Sequence, residues 1–416
     1  MTHELRRRVP SIAAIFLAAA ACHRPAQPSA PATTIPVQKS STGGPSASVA
    51  KPLDAPSADG RPQPHPPAAP CLPGGEGREA ALPDLLDQAA RDFDQGRSED
   101  ALECAREATR TDPSSVAAHH FRGAALAELG HIEEARTAYA RALALDPDDP
   151  EVLRSSADLY VRRLGSRDDL ELSLQYVKRA LPRAQKGRDR ELLKELHLIS
   201  AMALDDLGRP GEALAAANKA LEYDPKDRES RREKGVALFE LCRFEQAKSE
   251  LSRLSTESPD AWAEHYLGLI AERAHDDVAA AAHFARARKL DPDAFKPTEQ
   301  APRAVFQKIV QEELDKLPPA IKAGLARANF AVEDLPEVSD LVATDPPLSP
   351  GILGLFRPPP ENASSADRPT ILLYRRNPAR AAHDDDELRR EVRDTLMHEV
   401  GHLNGEDDEQ LRDRGL

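Results

Sequence analysis

Between residues 81 and 295 one residue series recurs at a fixed interval. Gly123, Ala135, Ala142 and Pro147 reappear with the same internal spacing at Gly268, Ala280, Ala287 and Pro292. Ala89, Ala101, Ala108 and Pro113 follow the same ruler, as do Ala201, Ala213, Ala220 and Pro225, and Gly235, Ala247, Leu254 and Pro259 follow it with one substitution. The prolines set a period of about 34 residues. A chain written this way stacks copies of one small unit, because no unit of that size can bury its apolar face alone.

The units read as helical. Aromatics are only 4% of the chain, so the cores rest on Ala and Leu, and Ala is the best helix former and lets backbones approach closely. Small residues fall where two helices cross, and Asp-Pro steps at 112/113, 146/147, 224/225 and 291/292 stop each second helix. Tyr139, Phe284 and Leu267 are expected to fill the space between repeats. The stretch 151–182 fits the ruler only with an insertion, and RAQKGRDRE adds a second irregularity, so we expect five regular repeats and one doubtful one. The series resembles the tetratricopeptide repeat family. That resemblance implies antiparallel helix pairs in an all-α solenoid whose concave surface binds a peptide or protein partner, which the residues do not identify.

Two other features bound the function. With 56 Lys+Arg against 70 Asp+Glu the formal charge is −14, which argues against nucleic acid as a partner, since phosphate binding needs a basic footprint. The N-terminus is an address. Arg6, Arg7 and Arg8 precede the apolar run SIAAIFLAAAA, which is too short for the roughly 20 residues of a bilayer span and ends in small residues before Cys22. LAAAAC resembles a bacterial lipoprotein signal, with Ala19 where that family usually has Leu. It implies removal of residues 1–21 and acylation of Cys22, with plain secretion as the alternative. Residues 22–80 are rich in Pro and Ala, cannot offset the entropy of ordering, and read as a linker reaching on the order of 45 Å. The expected location is the bacterial cell envelope, as an outer-membrane lipoprotein facing the periplasm or a secreted protein; the absence of Asp at 23 favours the outer membrane. Cys22, Cys71, Cys104 and Cys242 form neither a CxxC pair nor a disulfide framework, which argues against a cysteine zinc site.

After Phe295 the pattern changes. A helix is expected over VFQKIVQEELDKLP, strands over FAVEDLP, GILGLF and PTILLYR, and a long helix from near Asp386 that contains LMHEVGHLNGEDDEQL. His398 and His402, four apart, share one helix face, where two imidazoles can point at one ion; Glu399 stands beside the first. With 13 His in 416 residues a chance HExxH arises in about 3 of 100 such chains, and Gly405 and Asp408 at their offsets lower that to about 1 in 10,000. Gly405 suits a left-handed exit from the helix, after which Asp408 could bring a carboxylate to the ion.

The region 304–416 resembles the compact bacterial zincin-like metallopeptidases with a HExxHxxGxxD helix near the C-terminus, on the segments FAVEDLPEV, ILGLF, PTILLYRR and ELRREVRDTLMHEVGHLNGEDDEQLRDRG. That resemblance implies a small α+β domain, Zn2+ at His398, His402 and Asp408, and Glu399 as acid/base. Such a site leaves a coordination position open, at which the pKa of water falls to about 7, and Glu399 would take its proton during attack on a peptide carbonyl. No methionine follows Asp408, so the methionine turn of the larger metzincins is absent. Zincins bind an extended substrate along a sheet edge, for which GILGLF and PTILLYR are the two candidates. The chain is thus expected to be multidomain: signal peptide 1–21, linker 22–80, repeat domain 81–295 and zincin-like domain 304–416. Its expected function is a lipid-anchored zinc metallopeptidase acting on a peptide or protein substrate. The alternative is a non-catalytic scaffold lipoprotein in which zinc is structural.

Overall fold

In the computed structural model, residues 82–295, 302–359, 368–382 and 384–413 are described. The signal peptide, Cys22 and the linker lie outside the described residues.

The Asp-Pro steps do end helices, and they also start the next ones. The chain divides into two units, the first ending at Pro147. It holds α1 (Leu82–Asp94) packed on α2 (Ser98–Thr111), and α3 (Val116–Glu128) packed on α4 (Ile132–Leu145). Asp112 closes α2, its Oδ1 accepts from the Ser114 amide at 2.9 Å, and Ser115 then caps α3 by accepting from Ala118 N. One tetrapeptide thus satisfies orphan groups of two helices, at about 1 kcal/mol per cap.

The second unit begins at Asp148 and carries four more pairs: α5 (Pro150–Leu159) with α6 (Arg167–Gly187), α7 (Arg190–Asp206) with α8 (Pro210–Tyr223), α9 (Arg228–Glu240) with α10 (Phe244–Glu257), and α11 (Ala261–Arg273) with α12 (Asp277–Leu290). Asp149, Asp189, Asp227 and Asp260 cap α5, α7, α9 and α11. The doubtful repeat is a genuine helix pair. Its insertion is absorbed by a π-helical turn, Tyr160–Leu164, closed by Gly165 at φ 73°, and by an α6 of 21 residues that ends on a left-handed Arg188.

The ruler residues line the cores: Ala89, Ala108, Ala135, Ala142, Ala201, Ala220, Ala247 and Leu254 are all fully buried. A Cβ on Gly123 would stand 2.5 Å from the Tyr139 ring, one on Gly235 2.5 Å from Leu251, and one on Gly268 2.6 Å from Phe284. Tyr139 and Phe284 were expected between repeats. Each sits on the glycine of its own pair, where a missing Cβ opens room for a ring, and Leu267 shares a core with Leu238 and Leu251 of the preceding pair.

Beyond the last repeat the same unit continues with α13 (Arg303–Lys316), α14 (Pro319–Leu325), β1 (Asn329–Glu333), α15 (Val338–Leu341), β2 (Gly354–Arg357), β3 (Thr370–Tyr374), α16 (Arg376–Ala381), α17 (Asp385–Leu403) and α18 (Asp408–Asp413). The sheet has the order β1-β3-β2, with β1 parallel and β2 antiparallel to β3. Phe306, Ile309 and Val310 of α13 meet Leu373 of β3 and Leu388, Val392 and Leu396 of α17 in one core. Glu313, fully buried, is held there by Arg393 at 2.6 Å and Lys316 at 2.7 Å. β3 is central and four of its five residues are buried, so PTILLYR cannot present an edge; GILGLF supplies β2, which can. No helix among the described residues is long and apolar enough to cross a membrane.

Candidate metal centre

The site is built on α17, whose first turn is capped by Asp384 accepting from Glu387 N at 2.8 Å. Leu388, Val392 and Leu396, at four-residue spacing, press one stripe of this helix into the core. Anchoring on that stripe fixes the rotation of the following turn and so the direction of the histidines. His398 and Glu399 are 3% and 4% exposed, so both act outside bulk water.

The two imidazoles converge as the spacing requires. His398 Nε2 lies 3.0 Å from His402 Nε2, with the rings nearly perpendicular at 82°. Two nitrogens bound to one tetrahedral zinc at about 2.0–2.1 Å stand roughly 3.3 Å apart, so this pair fits an edge of such a site within a few tenths of an ångström. The tautomer fits too. His402 Nδ1 is 3.0 Å from the Glu406 carbonyl oxygen, which can only accept, so Nδ1 carries the proton and Nε2 of the neutral ring keeps its lone pair for a cation.

Local chain geometry aims that carbonyl. Glu406 N donates to Gly401 O and Gly405 N to His402 O, both at 3.0 Å, and Gly405 has φ 87°. This is a Schellman ending, which turns the chain back towards the helix it has left. Asp407 and Gln410 then exchange side-chain-to-amide bonds of 2.9 Å each, an N-terminal capping box for α18. Leu411 of α18 is fully buried against Gly401, where a Cβ would meet its Cδ2 at 2.2 Å. The glycine within HEVGH is therefore what admits the returning helix. Asp408 is the first residue of α18; its side chain lies outside the described residues. Among the described residues no group of three His, Cys, Asp or Glu side chains gathers in a metal-holding arrangement.

A zincin-like metallopeptidase family model matches residues 325–416, and tetratricopeptide repeat models match 86–150, 123–187 and 206–273. The chain carries tetratricopeptide repeats followed by a zincin-like metallopeptidase domain. Among solved structures it is similar to PilF of Pseudomonas aeruginosa, at 18% identity over 51% of this chain and 92% of that one, with a TM-score of 0.43. It is similar to PilW, a widely conserved type IV pilus biogenesis factor, at 17% over 52% and 96% with a TM-score of 0.46. A third is YrrB, a tetratricopeptide protein with an unusual peptide-binding site, at 20% over 46% and 94% with a TM-score of 0.36. No curated protein matches the chain.

One residue of the zincin-like domain escaped sequence reasoning. A Cβ on Gly354, the first residue of β2, would lie 3.0 Å from Glu399 Oε1 and 2.6 Å from Thr395 Cγ2, so the backbone of the edge strand rests against the candidate acid/base. A glycine within the strand-like run GILGLF was the available signal, since such a glycine marks a close approach.

The zincin-like domain is also joined to the repeats that precede it. Glu272 of α11, 4% exposed, takes Arg376 at 2.8 Å and, through its other oxygen, Arg380, both from α16. Ser349 Oγ donates to Glu240 Oε2 of α9 at 2.6 Å, and Arg273 donates to the Pro336 carbonyl at 2.6 Å.

Proposed function

We propose that the protein is a zinc-dependent peptidase of the bacterial cell envelope, held at a membrane by lipid on Cys22, with the repeats binding a protein partner or the substrate itself. The observation that carries the enzymatic reading is the pair of imidazole nitrogens facing each other at 3.0 Å beside a buried Glu399, one of them orientated by the Glu406 carbonyl. His398, His402 and Asp408 would hold the ion, which supplies Lewis-acid activation of the scissile carbonyl and of water.

The remaining work falls to the chain. The Glu399 carboxylate accepts a proton from the attacking water and passes it to the leaving nitrogen. β2 is paired only with β3 among the described strands, so its outer edge offers backbone donors and acceptors to an extended peptide. Antiparallel addition there would lay a substrate carbonyl near Glu399, because Gly354 brings that edge within van der Waals reach of the carboxylate.

Envelope location draws support from the basic, apolar and small-residue order before Cys22. Cys22→Ala is expected to move the protein from the membrane fraction to the soluble one; persistence in the membrane overturns the anchor. For activity, Glu399→Gln is compared with the wild type on a mixed peptide library, with zinc per chain measured on both. We expect one zinc in each and cleavage only by the wild type. The near-complete burial of His398 and Glu399 favours one competitor, a structural ion in a scaffold. Stoichiometric zinc with no cleavage that the variant loses would decide for that competitor.

A further inference from the structure

The repeats do more than precede the zincin-like domain. Two short segments of that domain are gripped by repeat helices, one leading into β2 and one bonded to the segment that does. The first is the loop ahead of β2: Ser349 is bonded to Glu240, and the neighbouring Leu348 carbonyl accepts from the Cys242 thiol at 3.7 Å. The second is α16, which holds the same loop through Asn377. Asn377 Nδ2 donates to the carbonyls of Pro350 at 3.0 Å and Ile352 at 2.8 Å, and Asn377 lies between the two arginines that Glu272 binds. Asp277 adds a contact of 3.1 Å to Arg376, and the Phe284 ring lies 5.8 Å from the Arg380 guanidinium.

We propose that Glu240 and Glu272, carried by repeat helices α9 and α11, are positioning residues of the peptidase site, holding the loop 348–352 and α16 so that Gly354 of β2 stays packed against Glu399. This rests on the peptidase reading for its catalytic consequence and on the contacts alone for its mechanical one. β2 has only four residues and one described neighbour strand, so its own ladder fixes it weakly; Glu272, nearly sealed from water between two guanidiniums, ties α16 to α11 through a charge-assisted pair on each oxygen. Occupancy of the repeats near α9 and α11 then reaches Glu399 through packed groups rather than through a flexible tether.

The test uses the full chain with Glu272→Gln, Ser349→Ala and, as control, Arg209→Ala in an exposed pair on the start of α8. Amide hydrogen exchange is followed by mass spectrometry, together with zinc content, kcat and KM. Expected for the first two variants is exchange at residues 348–357 faster by about tenfold or more, no change over α7 and α8, zinc retained, and kcat lowered about tenfold with KM within about twofold. The control should match the wild type. Unchanged exchange at 348–357 together with unchanged kcat, even with a lowered unfolding midpoint, overturns the proposal and leaves only a structural tether. If the wild type itself cleaves nothing, the peptidase reading fails separately, and the exchange rates alone decide whether the repeats hold β2.

Discussion

Replacing Gly354 by Ala tests the contact on which the site geometry turns. The new Cβ would lie 2.6 Å from Thr395 Cγ2, 3.0 Å from Glu399 Oε1 and 3.1 Å from the Leu372 carbonyl oxygen. Carbon–carbon contact is comfortable at about 3.5–4.0 Å, so roughly 1 Å of room must be found. Leu372 cannot give way, because it is backbone of the central strand with a neighbour on each side. Thr395 is fully buried and its hydroxyl is committed to Glu391 O at 2.7 Å, so its methyl has nowhere to turn. The displacement therefore falls on β2 and on the Glu399 carboxylate. Overpacking of this kind costs about 1–3 kcal/mol of stability, and a shift of about 1 Å in a catalytic group lowers the rate about 100-fold. Urea unfolding, zinc per chain and steady-state kinetics should show a lower midpoint, retained zinc and a fall in kcat of about 10- to 100-fold with KM little changed. An unaltered midpoint and kcat would refute the packing argument, and loss of zinc along with kcat would show that the histidines, not Glu399, had moved.

Other consequences follow from single contacts. Gly405→Ala places a side chain at φ 87°, which should cost about 1 kcal/mol and loosen the Glu406 carbonyl from His402; chelator competition should show zinc affinity about tenfold weaker. Gly268→Ala sets a Cβ 2.6 Å from the Phe284 ring and should lower stability by about 1–3 kcal/mol in denaturant titration. Burial pushes the Glu240 carboxyl from its usual 4.5 up to about 7, against the pull of Ser349 and Arg273. The folded chain then keeps a proton that the unfolded chain releases, so this group makes stability fall as pH rises from 4.5 to 7. Glu240→Gln keeps an acceptor for Ser349 and should exceed the wild type above pH 7 by about 1–3 kcal/mol, with the two curves meeting near pH 4.5; parallel curves would refute the assignment.

Legibility tracked the distance over which each feature is decided. The Asp-Pro steps and the Ala ruler act within a few residues, so the stops of the second helices could be read from them; the caps at Asp149, Asp189, Asp227 and Asp260, equally local, came from the structure. The irregular repeat was harder: a π turn at Tyr160–Leu164 preserves the pair while breaking the count that periodicity relies on. GILGLF and PTILLYR looked alike as apolar runs, and only pairing partners made one an edge and the other a centre.

At the site the same division holds. His398, Glu399, His402 and Gly405 lie on one helix and its exit, where a period of 3.6 residues and one positive φ settle the arrangement, so sequence alone determined them. The resting of Gly354 on Glu399, the seating of Leu411 on Gly401, and the grip of the repeats on α16 and the β2 loop were decided by tertiary structure. Arg380 and Glu272 are 108 residues apart, and Ser349 and Glu240 are 109 apart. No local preference encodes such pairs; they exist because burying several helix faces and a small sheet together leaves those backbones and charges only one close-packed way to meet.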